Sequence, residues 1–276
     1  MKAVKHGVVM ASMAALAFVV VTAQDTKVDF SKETVGKAPT TFEPQMGTWV
    51  VAQDGPDKVI KVDGEAFKAT LSTPDRLLLD TARKLYGTSN EELMDNAKQF
   101  TMFPIAVMKN SPVFSNGTIS VKFKTVSGNA DRASGILFNV KANGDWLCVR
   151  YNDTEDNVAL WTFHGDGVRR NVKFSDRTKP PLLDRDEKGT ILPTRKWHEL
   201  KMTVAGADFK TWVDGELRLE YTFGTDPVAG RRGAPNEFLF PKNNPTLTPP
   251  IIGKIGLWAK TDSTVEFKDY VISPVK

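Results

Sequence analysis

The densest group of chemistry-bearing residues is Arg150-Tyr-Asn152-Asp-Thr-Glu155-Asp156-Asn157. In strand geometry Arg150 and Asn152 share one face, and Glu155, Asp156 and Asn157 fall at the turn that follows. A guanidinium beside two carboxylates and two amides carries the donors and acceptors to grip sugar hydroxyls. The same set can instead tie a hairpin to its neighbour as an ion-pair network, and both readings stand. Arg150 lies between the apolar Val149 and the aromatic Tyr151, so its stem belongs inside the protein and its head then needs a partner. Glu155 is the nearest carboxylate that a hairpin return brings within reach. Arg150, Asn152, Glu155 and Asn157 are therefore expected to form one connected cluster.

A second polar and aromatic group, Trp258, Lys260, Asp262 and Ser263, lies near the C-terminus, and Trp258 and Lys260 of it join the ligand-binding candidates. Trp146, Trp161 and Trp212 can stack on sugar rings or fill a sandwich core. Glu155, Asp156 and His198 are the candidates for acid or base chemistry. Serine and zinc hydrolysis find no support, because no G-x-S-x-G elbow and no H-E-x-x-H spacing occurs. The sequence assigns no metal ligands and implies no cofactor. Calcium stays open, since it would need converging oxygens and Asp131, Asp145, Asp262 and Asp269 are available.

The elements that must position these residues read as short strands. In Gly117 to Val126, Ile119, Val121 and Phe123 alternate with Ser120, Lys122 and Lys124, the period of a half-buried antiparallel strand. Strand patterns recur at 134–140, 146–151, 157–163, 168–174, 196–204, 208–213, 216–223, 253–259 and 264–272. Asn143-Gly144 and Asp214-Gly215 mark tight hairpin turns between them. Strands without alternating helices mean a sandwich or barrel. Val121, Phe123, Ile136, Phe138, Leu257 and Phe267 are expected between two antiparallel sheets. Three insertions interrupt the rhythm. Residues 74–100 carry Pro74 and a Ser89-x-x-Glu92 box, which predict two short helices. Residues 175–195 and 224–252 are rich in proline and are expected to be irregular.

The N-terminus bounds the setting. Lys2 and Lys5 precede an apolar run from Val8 to Val21 and small residues at Thr22 and Ala23. That is a leader peptide cleaved after residue 23, too short to span a bilayer comfortably. It leaves residues 24–276 as a single domain, expected to be periplasmic or secreted, with no membrane insertion after cleavage. The net charge falls from +4 to +2 because Lys2 and Lys5 leave with the leader. No clustered basic stripe remains, which argues against nucleic acid as a partner. Cys148 is the one cysteine, so no intramolecular disulfide forms and the core must carry the stability.

From about Phe103 to Ile272, a series of pieces in order resembles a bacterial exported family with concanavalin A/laminin-G-like jelly-roll domains. That family is grouped with 3-keto-disaccharide hydrolase-like and family 16 glycoside-hydrolase-like proteins. The pieces are Phe103-Pro-Ile-Ala106, Val126 to Ile136, Val149 to Val158, Lys196-Trp-His198, Val213-Asp-Gly215 and Gly253 to Ser263. The resemblance implies an all-β, antiparallel jelly-roll β-sandwich, here with a short helical insertion. Retaining hydrolysis in family 16 uses carboxylates along one strand as Glu-x-Asp-x-x-Glu, which this chain lacks, so the likeness is one of fold rather than of catalytic machinery. The reading preferred at this point is a carbohydrate-binding module, non-catalytic or weakly so. A glycoside or keto-disaccharide hydrolase or lyase and an envelope structural or protein-interaction domain are the alternatives.

Overall fold

The computed structural model describes residues 25–64, 103–128, 132–164, 168–175, 195–225, 244–260 and 263–274. The leader, the helical insertion expected at 74–100 and residues 176–194 and 226–243 lie outside the described residues. The strands follow in chain order as β1 (Thr26–Lys27), β2 (Phe42–Met46), β3 (Trp49–Asp54), β4 (Asp57–Val62), β5 (Ile105–Met108), β6 (Gly117–Ser127), β7 (Ala133–Val140), β8 (Trp146–Asn152), β9 (Asn157–His164), β10 (Val168–Phe174), β11 (His198–Ala205), β12 (Asp208–Val213), β13 (Glu216–Thr222), β14 (Lys254–Ala259) and β15 (Thr264–Ser273).

They form two antiparallel sheets packed as a jelly-roll sandwich. The eight-stranded sheet runs β13-β12-β11-β6-β15-β4-β3, with β1 added alongside β15, and the seven-stranded sheet runs β10-β9-β8-β7-β14-β5-β2. Long crossovers between the sheets explain why β6 pairs with β11 and β15 rather than with its neighbours in sequence. Val121, Phe123, Ile136, Phe138, Leu257 and Phe267 all lie in the one core between the sheets. Phe138 of one sheet stacks on Phe209 of the other with centroids 5.5 Å apart, and Phe123 meets Tyr151 at 5.7 Å.

The two sheets differ in how they meet water. In β6 buried residues alternate with half-buried or exposed ones over most of its length, so the eight-stranded sheet has an inner and an outer face. All seven residues of β8 are buried, and so are all but the last of β7. Leu147, Val149 and Tyr151 point into the inter-sheet core. Trp146 and Cys148 point the other way, into a second apolar cluster that includes Phe103, Leu137, Phe163 and Trp258. The seven-stranded sheet therefore buries both faces at its centre, and any polar side chain on its outer face loses water.

The described part of the 224–252 insertion, residues 224–225 and 244–252, is irregular, with no strand through Pro245 to Pro250. It is also structural. Leu247 and Ile251 belong to the inter-sheet core, while Asn139 Nδ2 donates to Thr246 O and the Gly224 N–H to Leu247 O. Backbone polar groups carried inward with these side chains are thereby satisfied.

Ahead of β2 the buried Glu33 carboxylate accepts the backbone N–H and the hydroxyl of both Thr40 and Thr41, at 2.7–3.0 Å. Burial opposes its charge, but the bonds from Thr41 and Thr40 outweigh that and hold its pKa below 4.5. A depressed carboxylate pKa stabilises the fold above the unfolded value and loses that contribution as pH falls through the folded value. Glu33→Gln is expected to destabilise the protein at pH 7 by about 1–3 kcal/mol and to flatten the fall in stability below about pH 4.5. Urea melts of both proteins across pH 3–7 check this.

Candidate functional site

Strand alternation and register build the site on the outer face of the seven-stranded sheet. Arg150 and Asn152 continue the Trp146, Cys148 side of β8. Arg150 faces Ala159 on β9 and Gly135 on β7, and Gly135 faces Trp258 on β14. One row across the sheet thus reads Ala159, Arg150, Gly135, Trp258. The glycine is required there: a Cβ would stand 2.6 Å from Val149 O and 3.1 Å from Arg150 Cβ. Two small residues flank the guanidinium and leave it room beside the indole.

The structure brings Arg150, Asn152, Glu155 and Asn157 together. Arg150 Nη2 donates to Glu155 Oε2 at 2.8 Å and Nη1 to Asn157 Oδ1 at 2.6 Å. The Asn157 and Asn152 side chains also hydrogen-bond the Glu155 carboxylate. Asn152 Oδ1 accepts the N–H and hydroxyl of Thr154, which folds the turn back on the strand. The Arg150 side chain is 3% exposed and that of Glu155 41%, so the cation sits below and the anion at the rim. Burial works against the Glu155 charge, yet the Arg150 guanidinium prevails and holds the carboxyl below its ordinary range.

The other two carboxylates of the same turn are engaged elsewhere. Asp153 takes Arg132 Nε at 2.7 Å and the Thr125 hydroxyl at 2.5 Å. Asp156, at φ 53°, accepts the Tyr151 hydroxyl at 3.0 Å. Burial first, and then the Asp156 charge, raise the Tyr151 pKa, so the phenol remains a neutral donor. His198 lies in the opposite sheet. Its Nδ1 meets Asp214 Oδ2 at 2.6 Å, and Asp214 also accepts the Glu199 N–H. The three acid or base candidates therefore stand in three different environments: Glu155 on Arg150, Asp156 on the inward-facing Tyr151, and His198 on Asp214 across the sandwich.

Trp258 is fully buried on the outer face and stacks on Phe103 with centroids 5.7 Å apart. Trp146 stacks on Phe163 at 5.2 Å and meets Phe103 edge-on. Lys260 follows β14, half-buried, with its N–H on Ala133 O. His164 closes β9. Trp212 lies elsewhere, half-buried on the eight-stranded sheet under Lys201, whose ammonium is 4.8 Å from the ring centroid. Of the calcium candidates, Asp145 bonds with Asn143 and Asp269 pairs with Lys27 and Lys122. Asp131 and Asp262 lie outside the described residues. Among the described residues no three His, Cys, Asp or Glu side chains converge.

Three buried donors on this face find no hydrogen-bond partner among the described residues: Arg150 Nε, Trp146 Nε1 and Trp258 Nε1. Both amide atoms of Asn171, opposite Trp161 on β10, are in the same position. Sequence reading missed Phe103 and Asn171. The pairing of Val168 with His164 carries Asn171 to a place across from Trp161.

Residues 104–273 match the family model of the 3-keto-alpha-glucoside-1,2-lyase-like domain. No curated protein matches the chain. Among solved structures it is similar to the carbohydrate-binding module CBM66 from Bacillus subtilis, at 14% identity and TM-score 0.49, covering 85% of this chain and 96% of that one. It is also similar to a Bacillus licheniformis beta-glucanase, at 11% identity and TM-score 0.35, covering 63% and 71%. A galectin from Caenorhabditis elegans matches at 13% identity and TM-score 0.31, covering 59% and 92%.

The burial asymmetry of the ion pair sets the expected stabilities. Glu155→Ala strands a buried cation and is expected to cost about 3–5 kcal/mol. Arg150→Met leaves a carboxylate that reaches water, and should cost less. The double variant Arg150→Met/Glu155→Gln, with no buried charge, should be more stable than Glu155→Ala. Urea melts of the three variants check the order, and equal losses in Arg150→Met and Glu155→Ala would contradict it.

Proposed function

This chain belongs to the 3-keto-alpha-glucoside-1,2-lyase-like domain family, and from that premise we propose that it is an exported carbohydrate-binding β-sandwich, non-catalytic or weakly so. The binding surface in this reading is the outer face of the seven-stranded sheet around Arg150, Asn152, Glu155, Asn157, Trp258 and Lys260. The observation that carries it is the set of buried donors there without a partner among the described residues, Arg150 Nε and the Trp146 and Trp258 indole N–H groups. Native proteins satisfy nearly all such groups, and an unmet one costs about 1–3 kcal/mol. Sugar oxygens are acceptors of the kind these donors lack. The basic, apolar and small-residue pattern of Met1 to Ala23 supports export to the periplasm or beyond.

The family's description favours a second reading, a lyase or hydrolase acting on keto-disaccharides. Glu155 would then be the base, since a carboxyl held below its ordinary range is ionised at neutral pH. The separation of Glu155, Asp156 and His198 speaks for binding without turnover, because acid and base chemistry needs two groups at one bond.

A glycan array run beside an activity screen on oxidised and plain disaccharides tests the two readings. Binding without turnover is expected. Turnover abolished by Glu155→Gln would establish the second reading instead. Trp258→Phe keeps a ring against Phe103 and deletes one donor, and is expected to weaken glycan binding about tenfold, the equivalent of about 1.4 kcal/mol.

A further inference from the structure

A split in the eight-stranded sheet opens a crevice on the side of the molecule that Arg150 does not occupy. β4 pairs with β15 over Val265–Phe267, and β1 takes up the same edge of β15 only at Val271 and Ile272. Between them Asp269, at φ 51°, forms a bulge against β6. A bulge bends its strand and re-aims a side chain. The result is an open cavity of about 470 Å³ between residues 27–31, the β3–β4 turn and the bulge. That is the size of a small-molecule cleft.

The chemistry of the crevice is set by what its charges leave over. Three ammonium groups, Lys27, Lys58 and Lys268, and three carboxylates, Asp29, Asp57 and Asp269, line it together with the buried Val28 and Phe30. Two pairs cancel: Lys27 with Asp269 and Lys268 with Asp57, each at 2.7 Å. The other two groups have no ion-pair partner among the described residues. Lys58 Nζ donates to two uncharged oxygens, Ser31 O and Glu33 O, which leaves the third N–H of the ammonium free for a ligand. Asp29 Oδ1 accepts the Ser31 N–H at 2.8 Å, and the Ser31 hydroxyl and N–H hold its carboxyl below the ordinary range. One cation and one anion therefore remain at a crevice whose lining has no net charge. A ligand of one sign meets repulsion there as well as attraction, whereas a ligand carrying both signs can answer the two together.

We infer that this crevice binds a small zwitterion, an amino acid or a short peptide, with Asp29 receiving its ammonium group, Lys58 its carboxylate, and Val28 and Phe30 its apolar part. The site is independent of the carbohydrate reading, and neither stands or falls with the other.

The test is an NMR titration of the full chain with alanine, dialanine and trialanine, followed on the backbone amides of residues 27–31, 57–58 and 268–269. Three lengths are used because each residue adds about 3.3–3.6 Å to the span between the ligand's charges. The tightest of the three is then compared with its N-acetylated and its C-amidated form. Each cap is expected to weaken binding about threefold, the size of one exposed ion pair, and both losses should shrink at high salt. Asp29→Asn keeps the acceptor for the Ser31 N–H and removes the charge. In that variant N-acetylation should cost nothing further, while amidation should cost as much as in wild type. A melting curve for each protein confirms that both are folded. Glucose and sulfate serve as the neutral and the anionic control. Tighter binding of either control at these amides, capped forms that bind as well as the free one, or no binding of any of the three would overturn the inference and leave the Arg150 face untouched.

Discussion

A guanidinium taken out of water must be compensated, and the seven-stranded sheet is arranged around that requirement. Arg150 cannot leave its position, because Val149 and Tyr151 on either side of it in β8 are fixed in the inter-sheet core. Its head lies on the outer face, among aromatic and small side chains. The β8–β9 turn answers by returning at once and delivering Glu155 and Asn157 to the two terminal nitrogens. Loss of that turn geometry would leave a buried charge unpaired, so the turn is held by more than its own hydrogen bonds. Asp153 fastens it to Arg132 and Thr125, and Asp156 fastens it to Tyr151. The same four residues that look like a ligand site are thus also a structural joint. Arg150 Nε, which has no partner among the described residues, is what the joint does not explain.

The two sheets divide the work. The eight-stranded sheet has one wet face, where Lys124 pairs with Asp54 and Glu266 and Lys268 pairs with Asp57. Both ammonium groups lie over the Trp197 ring, at 5.0 and 4.4 Å from its centroid, and its indole N–H donates to Asp54. The Lys268–Asp57 pair reaches water and contributes little, whereas Lys124 and Glu266 are largely buried. The seven-stranded sheet is buried on both faces at its centre. Unpartnered buried polar atoms occur on both sheets among the described residues, Arg218 Nε on the eight-stranded sheet being the counterpart of Arg150 Nε.

Much of this was legible in the sequence. Alternation in β6 named the buried face, and Asn143-Gly144 and Asp214-Gly215 marked hairpins that the structure contains. The Arg150 network was legible because its members are local, seven residues apart or fewer, and a hairpin leaves little choice of neighbour. The rest depended on register across distant strands. Nothing local reveals that Trp258 lies one strand beyond the neighbour of Arg150, or that Phe103 covers it. Residues 244–252 read as irregular because proline breaks any period, and an aperiodic segment carries no signal of which side chains point inward. Leu247 and Ile251 entering the core could not be read from it. His198 was visible as a strand residue, but its bond to Asp214 joins the start of β11 to the turn after β12, a pairing that only the register supplies.

The central claim is that the outer face of the seven-stranded sheet around Arg150 receives a sugar. The most direct measurement is a nitrogen–proton correlation NMR titration of the side-chain N–H groups with a glycan that the protein binds. The account predicts that Arg150 Nε–H and the Trp146 and Trp258 indole signals shift together and saturate at one ligand concentration, while those of Trp197 and Trp212 stay in place. Movement of the Trp197 and Trp212 signals, with Arg150, Trp146 and Trp258 unmoved, would place the ligand on the other sheet and contradict it.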